Sequence, residues 1–157
     1  MSSKKYWQVV AIIIIALVLP LFLIRKEIVL VKYEQGQFLI EDEFTIGWIH
    51  SVEKEPWFEI YTVHNNQLLL RETYFKTFGA GTPSEGTIIE TDDGYVHFML
   101  NKPFQEVNMV VSENVKTTLY TKNEEIKLYE LADNYSNLSF KVQKIPLWKY
   151  IRGEKYG

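Results

Sequence analysis

The feature that most constrains this chain is the nineteen-residue stretch from Tyr6 to Ile24, interrupted only by Gln8 and Pro20. As a helix it extends about 28 Å, close to the hydrocarbon thickness of a bilayer. Residues 12–15 and 17–23 leave no polar face, which argues against a buried helix in a soluble core. A cleaved signal peptide needs a shorter apolar core and small residues at the cut. Here the run is long and ends in Arg25-Lys26-Glu27-Ile28-Val29. Residues 1–27 are therefore expected to be an uncleaved signal anchor that crosses the lipid bilayer once. Lys4 and Lys5 precede the span, and Arg25 and Lys26 follow it. The terminal amine tips the balance by one charge, so the preferred orientation keeps the short N-terminal tail inside. The expected location is the cell membrane, single-pass, with the domain on the extracytoplasmic side.

Residues 28–157 are expected to form one domain. The chain carries a net charge of −3 and its first 27 residues +3, which leaves −6 on the rest. No cationic footprint for nucleic acid is visible. The composition, 46% hydrophobic and 15% aromatic, is too apolar for a disordered chain. With no cysteine, disulfides, thiolate metal sites and a thiol nucleophile are excluded.

The punctuation of this domain is that of antiparallel sheet. Residues 28–33 and 37–40 flank a turn at Glu34-Gln35-Gly36. Phe44, Ile46, Trp48, His50 and Val52 alternate as one strand face. Strands are predicted over 57–63 and 68–78, joined by a hairpin turn at His64-Asn65-Asn66-Gln67. Asp92-Asp93-Gly94 is a second turn, leading into 95–100. Further strands are predicted over 105–112, 117–121, 126–131 and 139–145, with a helical turn over 147–151. The expected fold is all-β, an antiparallel β-sandwich or barrel-like domain behind a single transmembrane helix.

Two segments stand out. One is Ile49-His50-Ser51-Val52-Glu53-Lys54-Glu55-Pro56-Trp57-Phe58-Glu59-Ile60-Tyr61, and the other is Phe75-Lys76-Thr77-Phe78-Gly79-Ala80-Gly81-Thr82-Pro83. A His-Ser-Val-Glu strand end, a Pro and a Glu-x-Tyr strand precede a Phe-Gly-Ala-Gly-x-Pro loop. This order resembles a bacterial family labelled a domain of unknown function, and the resemblance covers about residues 38–100. Members of that family are small membrane-anchored proteins, often encoded beside the fused membrane subunit of TRAP transporters of the TAXI type. The resemblance implies a location and a partner, either that membrane subunit or its solute receptor, and no reaction.

The residues themselves leave alternatives open. His50 and Ser51 adjoin in an apparently extended stretch, so they face opposite ways. A catalytic serine would need His64 or His97 instead. Glu53, Glu55 and Glu59 surround a corner at Pro56. Glu59 stands between Trp57 and Tyr61 on one strand face. It is expected either on a solvated sheet edge or buried against His50 or backbone amides. His50 with Glu53 or Glu59 matches no standard metal signature, so no metal site, cofactor or catalytic residue is assigned. Gly79 and Gly81 permit either a sharp corner or a ligand-facing loop whose amides form a small anion-binding nest. The candidate binding residues are His50, Ser51, Glu53, Glu59, Phe78, Gly79, Ala80, Gly81 and Pro83.

Three functional readings follow. The first is an extracytoplasmic interaction module that contacts a TRAP-type transporter. The second is a small-molecule binding domain with a pocket at the His50 and Glu59 corner. The third and weakest is a hydrolase using His50 with Glu53 or Glu59 as general acid and base.

Overall fold

In the computed structural model, which describes residues 3–41, 43–153 and 155–156, helix α1 (Ser3–Leu23) leads without a linker into strand β1 (Arg25–Tyr33). Residues 4–23 of α1 are apolar and long enough to cross a membrane, and none of them is buried. Length and composition fit both a membrane anchor and a signal sequence.

Beyond α1 the chain folds into two sheets. The smaller has strand order β12 (Lys155–Tyr156), β2 (Gly36–Ile40), β1, β11 (Asn137–Pro146), β8 (Val107–Val110). The larger runs β10 (Glu125–Lys127), β9 (Thr118–Tyr120), β3 (Phe44–Ile49), β4 (Pro56–His64), β5 (Gln67–Phe75), β7 (Val96–Phe104), β6 (Thr87–Ile89). Among the described strands, every pairing is antiparallel except β12 with β2. The two sheets face each other in a sandwich-like arrangement.

Side-chain alternation builds the core. Val29 and Val31 of β1 meet Phe44, Ile46, Tyr61, Leu68, Leu119 and Phe140 between the sheets. The alternate β1 residues, Ile28 and Leu30, pack on the outer face with Leu39, Ile145 and Tyr150. Both faces of β1 are thus buried, which is why its sequence is a continuous apolar run rather than an alternation. A third cluster, Trp57, Phe75 and Phe98, closes one end of the larger sheet. On that sheet's outer face, Gly47 leaves room for two rings. A Cβ there would lie 2.7 Å from Phe58 and 2.9 Å from Tyr120.

The turns follow their residues. Asn65 and Asn66 both adopt positive φ, 49° and 62°, as a two-residue hairpin of the mirror-image type requires. Tyr33 pairs with Gly36 across the first hairpin.

Several expectations are corrected. The strand beginning at Phe44 ends at Ile49, and Val52, expected on the same strand face as Phe44, lies beyond it and is 68% exposed. Residues 50–55 close on themselves instead: the His50 amide donates to the Glu55 carbonyl at 2.8 Å and the Lys54 amide to the His50 carbonyl at 3.0 Å. The strand predicted to reach Phe78 stops at Phe75. The strand predicted over 126–131 is β10 followed by the one-turn helix α2 (Leu128–Leu131), because a short apolar run does not choose between the two periods. The strand predicted over 105–112 is shortened to β8 at Val107–Val110, and the one predicted over 95–100 runs on to Phe104 as β7. β6 and β12 were not anticipated. The helical turn after Pro146 is α3 (Leu147–Arg152).

Candidate functional site

The two segments singled out in the sequence meet through one side chain. The turn after β3 brings Glu53 back toward His50, and Glu53 Oε2 lies against His50 Nδ1. Glu53 Oε1 accepts a hydrogen bond from the Ala80 amide at 3.2 Å. The carboxylate fills the space where a side chain at position 79 would begin: a Cβ on Gly79 would lie 2.5 Å from Glu53 Cδ and 3.1 Å from its Cγ. Position 79 is therefore glycine for close approach, not for a left-handed backbone. Gly81 serves the other role, with φ of +82° and open space around its Cα. Lys76 adds a second link, with Nζ 3.7 Å from Glu55.

Burial pushes the Glu53 carboxyl upward, but its own amide, the Ala80 amide and His50 outweigh it and hold the carboxyl below its ordinary range. The anion that this loop holds is thus supplied by the chain itself. The His50 ring stacks on Trp57 at 5.4 Å, and Trp57 Nε1 donates to Thr73 Oγ1 at 2.8 Å. Phe78 packs edge-on against Phe75 and Phe98, at 5.5 and 6.1 Å, yet remains 61% exposed. Ala80 is exposed and Pro83 half-buried. Ser51 lies in a turn, so the extended geometry expected for His50 and Ser51 does not occur.

Glu59 does not join this clasp. It lines a groove of about 560 Å³ between the larger sheet and edge strand β8, with Trp48, His50, Tyr61, Phe104 and Met109 also on its walls. Glu59 Oε2 accepts from the Tyr61 hydroxyl at 2.6 Å. Burial raises the Glu59 carboxyl, and the Tyr61 bond only partly offsets that. Burial and the adjacent carboxylate push the Tyr61 hydroxyl up as well. His50 and Glu59 share a groove, but the hydrogen-bond partner of Glu59 is Tyr61. The expected solvated edge is not found.

A cluster that sequence reasoning missed lies on the outer face of the larger sheet. His97 Nδ1 contacts Glu72 Oε1, and His97 Nε2 lies 2.9 Å from Asp93 Oδ2. The ring stacks on Tyr74 at 4.8 Å and 7°. Burial works against the His97 cation, but the two carboxylates prevail and raise it. The Thr91 hydroxyl, the Tyr95 amide and His97 lower Asp93 to about 2. The available signal was Asp93 four residues before His97, across a turn already recognised. The carboxylates bind opposite edges of the ring, so they do not converge on one ion. Among the described residues no set of three His, Asp or Glu is arranged to hold a metal. The other histidine considered as a serine's partner, His64, bonds Asn65 in the exposed hairpin turn at 3.0 Å.

No curated protein and no solved structure matches the chain. A family model, described as a domain of unknown function, matches residues 44–128. That match takes in the His50 turn, the Gly79 loop, the Glu59 groove and the His97 cluster, and covers more than half of the chain: the protein belongs to the DUF1850 family.

Proposed function

We propose that the protein is a membrane-anchored extracytoplasmic interaction module. Its contact surface is the corner formed by the 50–55 turn and the 78–83 loop. Its partner is a TRAP-type transporter of the TAXI class, through the membrane subunit or the solute receptor. The observation that carries the reading is the Glu53 clasp. One carboxylate lies against His50 in the first segment and accepts from the Ala80 amide in the second. Two surface loops fixed to each other in this way present a preformed surface, which lowers the ordering cost of binding. Each segment also carries an exposed apolar side chain, Val52 at 68% and Phe78 at 61%, of the kind that marks a contact surface when grouped. The partner class comes from the family resemblance and from the apolar α1.

The test is native co-purification of the tagged full-length protein from its own membranes. A transporter subunit is expected to accompany the unaltered protein and to be lost from Phe78→Asp, which touches an exposed ring. Recovery of the protein alone, or undiminished recovery with Phe78→Asp, refutes the assignment.

A second reading is favoured by the groove. A half-buried carboxyl with one hydroxyl partner on an aromatic wall suits a small ligand with an apolar body and a hydrogen-bond donor. Thermal stabilisation of the unaltered protein, absent from Glu59→Ala, would support it.

A further inference from the structure

The start of β1 and the start of α3 meet beside the end of α1. The Leu147 amide donates to the Ile24 carbonyl at 3.0 Å, which joins the start of α3 to the exit of α1. The rings of Phe22 and Trp148 lie 6.2 Å apart. Arg25 is in register with Pro146, the residue before α3. Tyr150 on α3 accepts from Lys26 Nζ at 2.7 Å and donates to Glu41, so α3 is locked to the base of the smaller sheet.

Two properties of this base have no use within the fold. No residue of α3 is buried, and it exposes Trp148 at 38% and Ile151 at 58%. It also gathers cations: Arg25 from one end of the chain, and Lys149 and Arg152 from the other, all exposed. None of the three has an ion-pair partner among the described residues. Arg25 joins the patch only through the fold, because it lies more than 120 positions from Lys149 and Arg152. It stands on a domain that is otherwise acidic.

We infer that α3 is a second membrane contact: Trp148 and Ile151 enter the interfacial layer while Arg25, Lys149 and Arg152 bind the phosphates of anionic phospholipids. The inference rests on α1 being a membrane anchor. It follows from depth and from charge. If α1 spans the hydrocarbon, Ile24 and Arg25 stand at its edge, and the bond from Leu147 holds α3 at the same level. Trp belongs at that level, with its ring in the apolar layer and its N–H toward water. Anionic lipid attracts each nearby Lys or Arg by about fivefold in association, whereas the rest of the domain is repelled. The domain then stands on the membrane in one orientation rather than swinging on a tether. The corner at residues 50–55 and 78–83 is held at a fixed orientation as a result.

The chain contains no cysteine, so single labels are placed without background. Full-length protein is prepared with an environment-sensitive fluorophore at Ile151→Cys, Leu23→Cys or Tyr135→Cys. Tyr135 is exposed and precedes β11, at the end of the smaller sheet opposite to α3. Each is reconstituted in nanodiscs of phosphatidylcholine alone or with 30% phosphatidylglycerol, with spin-labelled lipid as quencher. The label at 151 is expected to be quenched with anionic lipid at least twice as strongly as the label at 135. Lys149→Glu with Arg152→Glu is expected to abolish the dependence on phosphatidylglycerol while quenching at 23 persists. Water-like emission at 151 with quenching at 23 overturns the inference and leaves the anchor. Water-like emission at both overturns the anchor as well. Equal quenching at 151 in both lipid mixtures overturns the phosphate assignment.

Discussion

Gly79→Ala should reverse its sign according to what stands at position 53. Gly79 is not among the residues with positive φ, so alanine is compatible with the backbone. At such a site Gly→Ala stabilises by about 0.4–1 kcal/mol through the unfolded chain. In the native fold, however, the new methyl lies 2.5 Å from Glu53 Cδ and 3.1 Å from Cγ, where unbonded carbons prefer about 3.5–4.0 Å. The carboxylate must retreat by about 1 Å to restore that contact distance. That retreat carries Oε1 from 3.2 Å beyond hydrogen-bond reach of the Ala80 amide and loosens the His50 contact. Overpacking of this kind costs about 1–3 kcal/mol, so the net expectation is destabilisation by about 1–2 kcal/mol. With Glu53→Ala the obstacle is gone, and the same substitution should stabilise by about 0.4–1 kcal/mol. Urea unfolding of the full-length protein in detergent, followed by tryptophan fluorescence, gives all four corners of the cycle. If Gly79→Ala has the same sign and size in both backgrounds, Glu53 does not occupy the space at position 79 and the clasp is wrong.

Four further outcomes are expected. The His97 cation is favoured by Glu72 and Asp93, so its stabilising effect is complete below the unfolded value of about 6.5 and is lost as pH rises through the higher folded value. Urea midpoints should therefore fall as pH rises above about 6.5, and Glu72→Gln should flatten that fall. Asp93, lowered to about 2, contributes stability that is present above about pH 4 and disappears as pH drops toward its folded value; Asp93→Asn should remove that acid limb. Tyr61→Phe deletes the hydrogen-bond partner of Glu59, and should cost about 1–3 kcal/mol. Because that bond favours the ionised carboxylate, the loss should be greater at pH 8 than at pH 5, and equal losses at the two values would refute the pairing. Gly47→Ala drives a methyl into Phe58 and Tyr120, and should lower stability by about 1–3 kcal/mol.

The architecture was legible where local chemistry decides it. Asn65 and Asn66 announced their turn because asparagine tolerates positive φ, and the run from Ile28 announced a strand because both of its faces are buried. What local reading missed was set at long range. The His50 turn looked like a strand because Trp48, His50 and Val52 keep a period of two. Its closure depends on a hydrogen bond to Glu55 and on Glu53 reaching the Ala80 amide, 27 positions away. The candidate residues could be named from the sequence, but not their grouping: Glu53 joins the two segments, while Glu59 turns to Tyr61. Glu72 in the His97 cluster and Arg25 at the base of the sandwich were out of reach for the same reason. Cross-strand neighbours and chain ends come together only when sheet order is known.

The central claim is that the corner at residues 50–55 and 78–83 touches a transporter partner. The most direct test is a photo-crosslinking residue at Phe78 in native membranes, with Tyr135 as the exposed control. A crosslink from position 78 to a TRAP-type membrane subunit or solute receptor, absent from position 135, is the result expected. No crosslink at position 78 in membranes that contain the transporter, or equal crosslinks from both positions, would contradict it.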